Sequence, residues 1–174
     1  MLKNVLALIV TLGFSASAFA GIEVQISGNG GPMSAGGGTG GGFYMWDNGA
    51  TDGTDWGLAG EAYWGLSDNL QVGGMLALAD GDSYSDMLMS LGVAARYNLD
   101  SELRNSIFLG AGVTYTDFGP GDSIGVMVQA GKRFALSDTL TWTPNLSVVL
   151  NVAGDLDEGH TIALNLLSFS GFLD

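Results

Sequence analysis

Charged side chains are scarce along the middle of this chain, and the few that occur there pose its first chemical question. Glu61, Arg96 and Arg133 each sit within a run of alternating apolar and small residues, on the polar parity. Enclosed together, three such groups need partners. They would either form an ion cluster that plugs and stiffens an interior, or line a narrow passage that selects ions or small solutes. Lys132 has the opposite parity and lies close to a turn, where a long side chain can reach the edge of an apolar layer.

A second chemistry is acidic. Carboxylates concentrate between the apolar runs, at Asp47, Asp52, Asp55, Asp117 and Asp122, and in the stretches DGDSYSD and DLDEG. Hard oxygen ligands at the spacing of Asp80, Asp82 and Asp86, or of Asp155, Asp157 and Glu158, suit a divalent cation such as calcium. Neither stretch completes a helix–loop–helix calcium pattern, and a solvated, repulsive outer rim is the plainer reading.

Nucleophilic catalysis has a single histidine to draw on, His160, with Ser168 and Ser170 downstream. His160 falls where a loop meets a strand, the usual place of an exposed spectator, so the chain is read as no enzyme and as needing no cofactor. The glycines at 36–42 have the composition of a phosphate loop but no Lys-Ser or Lys-Thr follows them.

The elements that position these residues follow from a period of two. Met87, Met89, Leu91, Val93, Ala95, Tyr97 and Leu99 alternate with Ser90, Gly92, Ala94, Arg96 and Asn98. After a polar turn, Ile107, Leu109, Ala111, Val113 and Tyr115 alternate with Ser106, Phe108, Gly110, Gly112, Thr114 and Thr116. The pair predicts a long β-hairpin with one apolar face. Its arms exceed the usual strand and match a tilted crossing of a bilayer. The same alternation recurs over 56–66, 70–79, 124–136, 140–152 and 161–172.

Tight connections at 67–69, 99–104 and 136–138 alternate with longer Gly/Asp-rich ones at 48–55, 80–85, 117–122 and 153–160. Counting back from the C-terminus gives eight strands if the first spans about 39–47. On that count 22–27 is surplus, a segment ahead of the strands that lies either outside the sheet on the periplasmic side or within the lumen, and it belongs to a Gly-rich N-terminal segment, 21–42. Trp64, Tyr97, Phe134 and Trp142 fall on the apolar face a few residues from a tight turn, as an interfacial girdle requires, and Trp56 and Tyr115 supply the opposite girdle. The competing expectation is a secreted soluble β-sandwich that buries the same aromatics in its core. Pro144 has no N–H for a ladder and predicts a bulge.

Composition narrows the class. Of 174 residues 47% are hydrophobic, yet the formal net charge is -13 and only five residues are Lys or Arg, which makes phosphate-rich nucleic acid an unsuitable partner. The chain has no cysteine, hence no disulfide framework. Residues 1–20 carry Lys3, an apolar run and Ala18-Phe19-Ala20, the pattern of a secretory signal peptide cut after Ala20.

Taken together, the leader, the alternating strands and runs such as WGLSDNLQVG and GKRFALSDTLTWTP resemble the small eight-stranded outer-membrane β-barrel proteins of Gram-negative bacteria, of the outer membrane protein A, X and W kind. The resemblance covers about 43–172. It implies an all-β, antiparallel, up-and-down transmembrane barrel over 43–174, in the bacterial outer membrane, as a monomer. Its partners would be outer-membrane lipid, lipopolysaccharide bridged by divalent ions to the acidic loops, and the barrel-assembly machinery during insertion. The implied role is structural or anchoring; a narrow porin-like channel is the alternative. Such barrels commonly end on an aromatic residue read by that machinery, whereas this chain ends Phe172, Leu173, Asp174, leaving Phe172 or Phe169 as the substitute.

Overall fold

The computed structural model describes residues 21–27, 42–48, 53–81, 86–117, 119, 121–155 and 159–173. The signal peptide expected over 1–20 lies outside the described residues. Among those described, twelve β-segments form one antiparallel sheet: β1 (Ile22–Ser27), β2 (Gly42–Asn48), β3 (Gly53–Gly65), β4 (Leu70–Gly81), β5 (Leu88–Asn98), β6 (Ile107–Asp117), β7 (Asp122–Lys132), β8 (Phe134–Ala135), β9 (Leu140–Trp142), β10 (Asn145–Gly154), β11 (Gly159–Asn165) and β12 (Ser168–Leu173). A 3-10 turn at Leu103–Asn105 is the only helical piece among them, and no described helix is long and apolar enough to cross a membrane.

The sheet is curled and barrel-like. Neighbours in sequence pair from β3 through β7, β7 pairs with β10 and β10 with β11, and β12 pairs with β1. β1 also pairs with β3, through Ile22↔Trp64 and Gln25↔Glu61. The segment 22–27, expected to be surplus, is therefore built into the sheet between its third and last segments. Its alternation of Ile22, Val24 and Ile26 with Glu23, Gln25 and Ser27 is the same two-faced pattern as its neighbours', and that pattern outweighs the Gly-rich run that follows it. β2 then continues along the same edge of β3, from Gly42↔Ala59 to Asn48↔Gly53.

The expected bulge at Pro144 falls elsewhere. Register between the flanking strands keeps step across it, with Gly131↔Asn145 on one side and Phe134↔Trp142 on the other. The extra residue is on the partner strand: Asn145↔Asn165 and Phe169↔Trp142 leave one more residue between Asn165 and Phe169 than between Trp142 and Asn145. There Leu166 and Leu167 are both exposed, and Trp142 Nε1 donates to the Leu166 carbonyl at 2.7 Å. A second shift lies between Asn151 and Ala153.

Nor do the connections differ in length as expected. At one end they are 49–52, 82–87, 118–121 and 155–158; at the other, 66–69, 99–106 and 136–139. Strands run on into the Gly/Asp-rich stretches because ladder hydrogen bonds need backbone, not apolar side chains. What separates the ends is chemistry. The first is an acidic rim; the second, here called the floor, also carries Ile22 and Leu173, which pair with each other.

The two faces are inverted relative to a water-soluble core. Among the described residues, nineteen polar or charged side chains are buried against ten hydrophobic ones, while leucines, valines and isoleucines along β4 to β12 stand exposed. A sandwich would bury apolar residues between two sheets. Here one sheet encloses polar ones.

Candidate functional site

Three layers fill the enclosed face. Nearest the floor, Arg133 stands between β7 and β8, with its backbone N–H donating to the Ser106 carbonyl at 3.0 Å. All five guanidinium N–H groups find acceptors. Nε reaches Glu23 Oε1 at 2.9 Å and Nη2 reaches Glu23 Oε2 at 2.7 Å, a bidentate fork. Nη2 also donates to Gln71 Oε1 at 2.9 Å, and Nη1 to Asn98 Oδ1 at 2.7 Å and Ser106 Oγ at 2.9 Å. Gln71 Nε2 returns to Glu23 Oε2 at 2.9 Å, and Asn98 Nδ2 to Gln71 Oε1 at 3.2 Å. Glu23, Gln71, Asn98 and Arg133 are all fully buried, and this network joins β1, β4, β5 and the β7–β8 junction.

The second layer belongs to Arg96. Its Nη2 donates to Glu61 Oε2 at 2.7 Å and Gln129 Oε1 at 2.9 Å, and its Nη1 stands 3.9 Å from Glu23 Oε1. Its guanidinium carbon lies 3.6 Å from the centre of the Tyr63 ring and 4.5 Å from that of Phe108, whose ring is also 4.6 Å from the Arg133 guanidinium. Ring, cation, ring and cation thus stack across the interior. The Tyr63 hydroxyl donates to Glu61 Oε2 at 3.1 Å and accepts from Gln129 Nε2 at 3.1 Å.

Toward the rim comes an apolar collar of Tyr63, Met75, Ala94, Met127 and Val149. Glycines on the enclosed face make room for it. A Cβ on Gly73 would come within 2.5 Å of the Tyr63 ring, one on Gly92 within 2.6 Å of Met75, and one on Gly131 within 2.5 Å of Phe108. The small inward residues are thus the complements of large ones.

Glu61, Arg96 and Arg133, singled out from parity, do come together, but Glu23 bridges the two arginines and was missed. Its signal was present in the alternation of Ile22, Glu23, Val24 and Gln25. Of the aromatics, Tyr97 and Phe134 are exposed and Trp56, Trp64, Tyr115 and Trp142 half-buried. Phe134 stacks on Trp142 with ring centres 5.1 Å apart, and the Tyr115 hydroxyl donates to Asp122 Oδ2 at 3.3 Å.

Other candidates do not converge. Asp82, Asp157 and Glu158 lie outside the described residues, and among those described, Asp80, Asp86 and Asp155 included, no group of three or more His, Cys, Asp or Glu side chains is placed to hold a metal ion. His160 is exposed, opposite Leu150 on the outer face, whereas Ser168 and Ser170 are buried on the enclosed face. Phe172 is buried and Phe169 exposed, so of the two terminal phenylalanines only Phe169 is presented outward.

The assembly is an all-β, barrel-like sheet with an ionic interior and an apolar exterior. No protein-family model and no curated protein sequence matches the chain.

Proposed function

We propose that this chain is a small outer-membrane β-barrel protein with a structural, anchoring role in a Gram-negative envelope, exported by a leader cleaved after Ala20. The twelve segments reduce to eight strands when the collinear pairs β1 with β2, β7 with β8, β9 with β10 and β11 with β12 are joined. The uninterrupted strands β3, β4, β5 and β6 are 13, 12, 11 and 11 residues long, enough to cross a hydrocarbon layer when tilted. The observation that carries the reading is the inversion of polarity. Buried Arg133, Arg96 and Glu23 face exposed Val93, Leu109, Val126 and Leu150 across one thickness of sheet, an arrangement that a surrounding hydrocarbon layer makes favourable.

An anchoring role is favoured over a channel because the interior is occupied. An eight-stranded barrel has a lumen just wide enough for side chains to fill, and two ionic layers and an apolar collar lie across it. Fractionation of cells carrying the full-length chain tests the placement. It is expected in the outer-membrane fraction, with a band that changes mobility on boiling; recovery as a water-soluble folded protein would refute the reading. In planar bilayers the purified protein is expected to give no resolvable conductance steps.

A further inference from the structure

Four positively charged side chains lie among the described residues. Arg96 and Arg133 are enclosed, and Arg104, on the 3-10 turn, lies 5.8 Å from the Phe172 ring. Lys132 alone stands on the outer wall, exposed, at the floor end of β7. Its ammonium donates to the Asn105 carbonyl at 3.1 Å and lies 5.5 Å from the centre of the Phe134 ring. No carboxylate among the described residues is within ion-pairing distance of it. The nearby Glu102 instead accepts from Asn105 Nδ2 at 3.0 Å. Phe134 stacks on Trp142, and Trp142 is paired in register with Phe169. Trp142 is further fixed by its bond to Leu166.

We infer that this corner binds the headgroup of an anionic glycerophospholipid. The Lys132 ammonium has N–H groups to spare after Asn105, and a phosphodiester oxygen is the acceptor an interfacial cation finds at headgroup depth. Phe134, Trp142 and Phe169 form an aromatic ledge beside it for the glycerol backbone and the upper acyl chain. Charge complementarity selects the class of lipid. In a chain with a net charge of -13, an outward cation without a carboxylate partner favours an anionic headgroup over a zwitterionic one, whose own ammonium would compete with Lys132. The inference rests on the membrane placement proposed above.

The test uses the full mature chain refolded into vesicles of phosphatidylethanolamine and phosphatidylglycerol, extracted gently, with retained lipid identified by native mass spectrometry. Wild-type protein is expected to retain phosphatidylglycerol preferentially. Lys132→Gln should lower that preference about fivefold, as expected of one lysine near an anionic surface, while Lys132→Arg keeps it and both variants still show the boiling-dependent band. Equal retention of the two lipids by inserted wild-type protein, or an unchanged preference in inserted Lys132→Gln, would overturn the headgroup site and leave the membrane placement standing. Failure of the wild-type chain to enter vesicles would overturn both.

Discussion

Arg133 and Arg96 are both fully buried on the enclosed face, yet they are held by different physics. Arg133 uses every N–H in a directed bond and shares a bidentate fork with Glu23. Arg96 makes its hydrogen bonds through Nη2, while Nε and Nη1 have no hydrogen-bond partner among the described residues and the cation lies between two rings. Hydrogen bonds weaken steeply when misaligned; attraction to a ring face tolerates sliding. The floor layer therefore fixes the relative position of β1, β4, β5 and β7, and the Arg96 layer fills space while keeping charge balanced. An interior that carries charge can be rigid at one level and adaptable at the next.

The contrast predicts unequal losses. Arg133→Ala leaves Glu23 buried beside only Gln71 and a distant Arg96, and is expected to cost about 3–5 kcal/mol, read as a lower urea midpoint for loss of the boiling-sensitive band. Arg96→Ala should cost less, about 1.5–3 kcal/mol, because its partner Glu61 keeps 10% exposure and can take up water. Equal losses would remove the distinction. A smaller effect separates the two faces through adjacent glycines. Gly73→Ala drives a Cβ into the Ala62 carbonyl oxygen, whereas on Gly74 the nearest atom is 3.6 Å away. The first should cost about 1–3 kcal/mol and the second stay within about 0.5 kcal/mol.

Much of this was legible in the sequence, and the reasons differ by feature. Parity alone put Arg96 and Arg133 inside and Val93 and Leu109 outside, because a strand's side chains have no third direction. Glu23 escaped since its short strand is separated from β2 by a Gly-rich run, and a strand count made without register had no place for it. Register also decided the Pro144 question. A missing N–H removes one ladder bond, and the extra residue appeared across the sheet at Leu166–Ser168, where nothing in composition marks it. Connection lengths were misjudged because Gly and Asp read as turn residues even where a neighbouring strand holds their backbone. The stacking of Tyr63, Arg96, Phe108 and Arg133 joins β3, β5, β6 and the β7–β8 junction across the enclosed face, and periodicity within a strand carries no trace of it.

The central claim, that the outer wall faces hydrocarbon while charge is enclosed, has a direct probe because the chain has no cysteine. Val93→Cys, labelled with an environment-sensitive fluorophore in the refolded protein, should be quenched by lipids brominated in the middle of the acyl chain, and a label at Asp155→Cys on the rim should not. A folded protein in those vesicles whose Val93 label is quenched no more than the Asp155 label would contradict the account.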